Sequence, residues 1–312
     1  MHKTILTIGE ILVEIMATTR GSGFRETIEL VGPYPSGAPA IFIDQAARLG
    51  YPAAIVGCVG DDDFGRINLD RLRRDGVDIS AVRVDPGAVT GSAFVRYRRD
   101  GERDFVFNIR QSAAALVGPT DQVRAAIDRA SHLHVVGSSL ISPGMIETIL
   151  FAAERMKSRG GTVSFDPNVR KEIFGGEARD ALSRVLAQTD LFLPSGDEVM
   201  LFSNAATPDA AIGGLLGRGV SAVVHKQGAR GARYVDLATE VFVPGIETTE
   251  VDPTGAGDIF GATFVAGWLD GRDPTDNLRR ANIAGSLAVR RRGPMEGASS
   301  VKEIEELLKA YG

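Results

Sequence analysis

Asp252-Pro253-Thr254-Gly255-Ala256-Gly257-Asp258 follows the apolar run Val241–Val243 and precedes a stripe of Ile259, Phe260, Thr263, Phe264, Gly267 and Trp268. The pattern reads as strand, loop and then a helix opened by Gly255, with apolar residues returning at helical spacing. Small residues at Gly255, Ala256 and Gly257 weaken a helix start if stability alone matters. They suit backbone N–H groups that must approach an anion closely, where the helix dipole adds its positive end. Asp258 then falls in the first turn, beside whatever the glycines hold. From there a carboxylate can take the proton of a hydroxyl that attacks a phosphoryl group. Two other readings use the same residues. In one, Asp258 only stabilises a helix start and the glycines allow tight packing. In the other, Gly261 completes a dinucleotide fingerprint and the protein is an NAD(P)-dependent oxidoreductase. Against the second, a proline-containing loop intervenes and the third glycine comes one position late.

Working outward, short apolar runs alternate with amphipathic stretches along most of the chain. Strands are expected at Ile5–Ile8, Ala53–Val59, Leu133–Val136, Val163–Phe165, Leu191–Leu193 and Ala222–His225. Helices are expected between them at Ala38–Leu49, Phe64–Arg74, Gly144–Lys157, Ala178–Ala187 and Asp209–Leu216. Runs that are apolar without alternation belong in a parallel sheet covered on both faces. The expectation is an α/β protein with a doubly wound, mostly parallel sheet, whose ligands lie beyond the carboxyl ends of the strands.

Two regions break this rhythm. Ile11–Met16 with Glu26–Val31, and Gly91–Tyr97 with Arg103–Ile109, are β-rich and lack intervening helices. The second pair encloses Arg99-Asp100-Gly101-Glu102, where Asp-Gly is a strong hairpin signal. Together they predict a small β-sheet lid of residues 11–35 and 87–112 over a core of residues 1–10, 36–86 and 113–312. An edge extension of the main sheet is the other arrangement that the pattern allows.

Composition narrows the function. The 312-residue chain carries a net charge of −5, with 44% hydrophobic and 24% charged residues. No basic field exists to draw nucleic acid or an anionic membrane surface. No apolar run approaches a membrane span, and Thr4–Ile8 reads as a strand rather than a leader. The single cysteine, Cys58, suits a reducing cytoplasm.

Asp252 to Asp258 resembles the C-terminal signature of the ribokinase-like (pfkB) carbohydrate kinases. The resemblance implies transfer of the ATP γ-phosphoryl group, with Mg2+, to a hydroxyl of a small sugar. It implies an anion hole at Gly255, Ala256 and Gly257 and a catalytic base at Asp258. Ser36-Gly37-Ala38-Pro39-Ala40 resembles the family's N-terminal glycine signature and so assigns Gly37 and Ala38 to the sugar pocket. A plain loop-to-helix connection explains the same residues. Ser36 stands where the family commonly has glycine, and Ile41 where many members carry asparagine. Glu14 matches an acidic position that binds sugar hydroxyls, and an acceptor-only carboxylate suits a polyol. On its own strand pattern it is equally a solvated residue.

Further along, Asn168 and Arg170 in Asp166-Pro167-Asn168-Val169-Arg170 match positions near the substrate and phosphoryl path. Arg110 could reach inward after the second lid strand or remain on the surface. In Ser195-Gly196-Asp197-Glu198, Glu198 matches a glutamate that organises magnesium through water, with Ser195 in place of asparagine; an acidic first helical turn explains it too. Lys226, Gly228 and Gly231 match the nucleotide-side loop, and Asn282 the adenine pocket. In Gly60-Asp61-Asp62-Asp63-Phe64-Gly65 the aspartates are helix caps. His132 and His134 lack partners at zinc spacing, so no metal is assigned to them.

Gly9–Met16, Pro33–Gly50 and Gly60–Gly65 look most similar to bacterial tagatose kinases, so a ketohexose is the expected substrate. Fructokinase and 2-keto-3-deoxygluconate kinase are the alternatives. A keto-acid needs a cation for its carboxylate, such as Arg110 or Arg170. The unpaired edge of the lid predicts a homodimer formed through it.

Overall fold

Strands buried on both faces build a central sheet in the computed structural model, which describes residues 2–21, 23–99, 103–169 and 176–311. The strands are, in chain order, β1 (Ile5–Ile8), β2 (Leu12–Ala17), β3 (Leu30–Ser36), β4 (Ala53–Gly60), β5 (Asp78–Asp85), β6 (Gly91–Tyr97) and β7 (Arg103–Asn108). They continue as β8 (His132–Val136), β9 (Thr162–Asp166), β10 (Leu191–Phe192), β11 (Ala222–Lys226), β12 (Gly231–Asp236) and β13 (Glu240–Pro244). The helices are α1 (Ala38–Arg48), α2 (Asp63–Arg74), α3 (Asp121–Arg129), α4 (Pro143–Ser158), α5 (Gly176–Leu186), α6 (Pro208–Gly217), α7 (Ala256–Leu269), α8 (Pro274–Ala288) and α9 (Val301–Tyr311).

The main sheet runs β13-β12-β11-β10-β9-β8-β1-β4-β5. All pairings from β11 to β5 are parallel, and β12 and β13 close one side antiparallel. Helices cover both faces, as the unbroken apolar strands require. One core gathers Met145, Phe165 and Phe192 beneath α3 to α6. The other gathers Phe42, Ile259 and Phe264 beneath α1, α7 and α8. Asp62 caps α2 by accepting the Gly65 N–H at 2.8 Å. Among the described residues, no helix is long and apolar enough to cross a membrane.

A separate sheet, ordered β3-β2-β6-β7, lies apart from the main one. The expected strand Glu26–Val31 is corrected to β3, Leu30–Ser36. Pro33 and Pro35 are tolerated there because β3 is an edge, where a missing N–H breaks no ladder. The register also shifts between Glu14 and Met16, so a bulge absorbs Gly32 and Pro33. The turn expected at Asp100-Gly101-Glu102 lies outside the described residues. On either side of it, β6 and β7 pair antiparallel from Ser92 with Asn108 to Tyr97 with Arg103.

His132 and His134 are core residues of β8, and hydroxyls satisfy them. The His132 ring nitrogens meet Thr162 and Ser164 at 2.8 Å each, and His134 Nδ1 meets Ser164 at 2.7 Å. His134 also stacks on Phe42, with ring centroids 3.6 Å apart. Burial drives the His132 pKa down from 6.5 to about 3, and His134 is lowered as well. The unfolded chain therefore takes up protons first. Their contribution is complete above pH 6.5 and is lost as pH falls toward 3. For one such histidine, stability at pH 5 is expected to be about 2 kcal/mol below that at pH 7.5. Urea titrations at the two pH values measure this, and a His132→Gln protein should show a smaller difference between them.

Candidate active site

Gly255 is the N-cap of α7 and adopts φ 80°, in the left-handed region. A Cβ on it would come within 2.4 Å of the Pro294 carbonyl oxygen, so only glycine fits this turn. Ala256, Gly257 and Asp258 form the first turn, the Ala256 N–H donating to the Pro253 carbonyl oxygen at 3.4 Å, and a Cβ on Gly257 would meet only the Lys226 ammonium at 3.8 Å. An approaching anion thus finds bare backbone, the positive end of the helix dipole and a lysine. Asp258 is in that first turn and 8% exposed. Its Oδ1 accepts a hydrogen bond from Asn168 Nδ2 at 3.3 Å.

Asn168 follows β9 and adopts φ 37°, a left-handed conformation rare outside glycine. Its own N–H donates to Asp166 Oδ1 at 3.1 Å, a local bond that holds the turn. Such strain concentrates at functional sites, and here it aims the Asn168 amide at Asp258. Asp166, at the end of β9, forms a buried ion pair with Lys226, at the end of β11. Burial alone would lower the Lys226 pKa, but Asp166 and Glu198 outweigh it and hold the lysine charged. Glu198 accepts the backbone N–H groups of Val169 and Ser195 at 2.8 Å each. Burial, reinforced by the Asp166 charge, raises its pKa.

Two cavities meet at this cluster. The larger, about 750 Å3, is lined by Glu198, Lys226, Gly228, Gly231, Asn282 and the Ala256–Gly257 turn among others. Asn282 donates both amide hydrogens to carbonyls of Val243 and Pro244, at 3.1 and 3.0 Å, which fixes α8 against β13. The smaller cavity is walled by Glu10, Glu14, Ser36, Gly37, Ala38, Ile41, Phe105 and Phe107. Gly255, Asp258 and Asn168 line both.

Walls of the smaller cavity come from both sheets. Glu14, on β2, is buried and accepts the Ser36 hydroxyl at 2.7 Å, so the serine in place of glycine anchors a carboxylate. Gly37, with φ 110°, caps α1 where a Cβ would strike the Glu10 carbonyl oxygen at 2.3 Å. Phe105 and Phe107 stack on β7, with centroids 5.1 Å apart. Arg110 is exposed and lines neither cavity. Arg170 lies outside the described residues.

Sequence reading missed several contributors. Glu10 is buried at the smaller cavity, where its two oxygens accept the Ser138 and Ser139 hydroxyls at 2.8 and 2.7 Å. Burial raises its pKa. Asp166 had been quoted without a role, and Lys226 had been assigned to the nucleotide loop alone rather than to this ion pair. The signal for the pair was a charged residue at the carboxyl end of each of two parallel strands, β9 and β11, that flank β10.

A glycine turn opening a helix, a carboxylate between two cavities and a doubly wound sheet are the features that the comparisons with known proteins meet. The model of the pfkB family of carbohydrate kinases matches residues 2–301. The chain belongs to that family and is a carbohydrate kinase. It is 33% identical to a 2-dehydro-3-deoxygluconokinase of Thermoproteus tenax, over 98% of this chain and 94% of that one. It is 30% identical to fructokinase-1 of Oryza sativa subsp. japonica, over 98% of each chain. An E. coli protein described as a candidate ribokinase II, solved in complex with ATP and Mg2+, superposes with a TM-score of 0.92 at 47% identity over 99% of both chains.

Proposed function

We propose that the protein transfers the γ-phosphoryl group of ATP to a hydroxyl of a neutral sugar, a ketohexose such as tagatose being the best fit. The observation that carries this is the position of Asp258, which lines both cavities. A triphosphate in the larger cavity brings its terminal phosphate to the Gly255–Gly257 turn. A sugar in the smaller one brings a hydroxyl to Asp258. The carboxylate takes the hydroxyl proton as the oxygen attacks, while the Ala256 and Gly257 N–H groups and Lys226 stabilise the charge spreading over the phosphoryl oxygens.

The carboxylates present suit a divalent ion held through water. Both Glu198 oxygens already accept backbone N–H groups, and Asp166 is paired with Lys226. Magnesium keeps much of its water shell, so such groups can orient its waters without ligating it directly. When bound with ATP, the ion neutralises charge on the β- and γ-phosphates.

The neutral sugar is argued from charge. Glu10, Glu14 and Asp258 line the smaller cavity, and no Lys, Arg or His does so among the described residues. Carboxylates accept hydroxyl donors and repel a substrate carboxylate. The stacked Phe105 and Phe107 rings offer an apolar wall to the C–H face of a sugar. A second reading, a 2-keto-3-deoxygluconate kinase, is favoured by the Thermoproteus tenax relative. ADP release with Mg2+ATP is to be measured against tagatose, fructose, other ketoses and 2-keto-3-deoxygluconate. A ketohexose is expected to give a kcat/KM at least about tenfold above the keto-acid, a difference of about 1.4 kcal/mol. Preference for the keto-acid would exchange the two readings, and no release with any acceptor would end the kinase reading.

A further inference from the structure

Two strands of the small sheet touch the loop that carries the anion hole. Tyr97, the last residue of β6, donates its hydroxyl to Asp252 Oδ1 at 2.6 Å. Asp252 is 1% exposed and is a hub. Its Oδ1 also accepts the Thr254 N–H at 3.0 Å, and its Oδ2 accepts the Gly293 N–H at 2.9 Å. Beside it, Arg103 of β7 donates to Thr254 Oγ1 at 3.2 Å. On the far side of the hub, the backbone of Gly293 passes so close to Tyr34 of β3 that a Cβ there would come within 2.6 Å of the ring. The next residue, Pro294, supplies the carbonyl against which Gly255 turns.

We infer that Tyr97 is a positioning residue: through Asp252 it ties the seating of the small sheet over the sugar to the geometry of the Gly255–Gly257 anion hole. The argument rests on the kinase reading above. Asp252 reaches Thr254 on one side of the glycine turn and Gly293 on the other, so its carboxylate sets the spacing between the two segments that hold Gly255. When Tyr97 docks, a third hydrogen bond completes the carboxylate's shell. When β6 lifts away, that oxygen loses a donor it cannot replace inside a dry pocket. Burial, followed by the neighbouring Asp252 charge, pushes the Tyr97 phenol above its ordinary pKa, so it stays a donor throughout the working range of the enzyme. The same face of the small sheet carries Phe107 and Phe105, opposite Ala93 and Val95 in the register that ends at Tyr97 and Arg103. Sugar contact and loop contact are thus made by one rigid surface. The seating of the small sheet and the bracing of the anion hole therefore go together, which favours transfer to sugar over transfer to water.

Tyr97→Phe removes one oxygen and keeps the ring that packs beside the loop, so the protein is expected to fold. Two measurements on the full-length variant and wild type decide the matter. The first is hydrogen–deuterium exchange with no ligand added, read over residues 251–257 and 290–295. Exchange there should quicken about tenfold in the variant while residues 12–17 and 91–96 remain as in wild type. The second is steady-state kinetics with Mg2+ATP and the best sugar of the panel. kcat should fall about tenfold with the KM for ATP changed less than twofold, and ADP release without sugar should rise relative to sugar phosphorylation. Unchanged exchange in the loop, uniform quickening of the whole small sheet, or an unchanged kcat each overturns the inference. If wild type itself turns over no sugar, the kinase reading fails, and the exchange comparison still decides the coupling.

Discussion

Asp258→Asn lowers kcat by about 10²- to 10⁴-fold while ATP binding stays within a few-fold of wild type; this is the expected result of removing a general base and little else. The substitution is isosteric, so the first turn of α7 keeps its shape and Asn168 keeps a partner in the new carboxamide oxygen. What is lost is the ability to hold a proton at the junction of the two cavities. The N–H groups of Ala256 and Gly257 remain, so residual transfer by orientation and charge stabilisation should stay above the solution rate. Initial rates with the preferred sugar give kcat, and thermal shift with Mg2+ATP reads nucleotide binding. Activity within tenfold of wild type would remove Asp258 from the base role.

Lys226→Met has the second largest expected effect, and it acts on two quantities at once. Lys226 is buried with Asp166, and Glu198 and Asp258 act on it as well. Removing the cation leaves Asp166 buried beside Glu198 with no compensation, a loss of about 3–5 kcal/mol in stability. The phosphoryl oxygens lose a fixed positive charge in a low-dielectric site, so kcat should fall by about 10²- to 10³-fold. A second change separates the two effects. Asp166→Asn combined with Lys226→Met removes both charges and should recover most of the stability but none of the rate. Equal stability of the single and double variants would mean that the pair does not hold this end of the sheet, and recovered turnover would mean that Lys226 does not face the phosphate.

How far the sequence foretold this arrangement depended on the range of the interactions. The central strands were readable because burial on both faces leaves only apolar residues, as in β4, where all positions from Ala53 to Gly60 are buried. β5 went unread because it is an edge strand with Asp78, Arg83 and Asp85 facing outward, so its burial pattern shows no clean period. β3 was misplaced for the related reason that an edge tolerates Pro33 and Pro35. At the site, Gly255 and Asp258 could be read because a helix start carries its own chemistry within four residues. Tyr97 could not, since its partner Asp252 lies 155 positions away. Nor could Glu10 be connected with Ser138 across 128 positions. Alternation along β6 does put Ala93, Val95 and Tyr97 on one face, but nothing local says what that face meets.

The smaller cavity draws Glu10 and Asp258 from the body of the protein and Glu14, Phe105 and Phe107 from the small sheet. That division has an evolutionary consequence. Under the proposed function, substitutions on β2 and β7 can reshape the acceptor pocket while the start of α7 keeps its geometry, so selection can trade one sugar for another without rebuilding the catalyst. A lineage with this layout can diversify its diet through a few side chains on four short strands, and the chemistry is inherited intact.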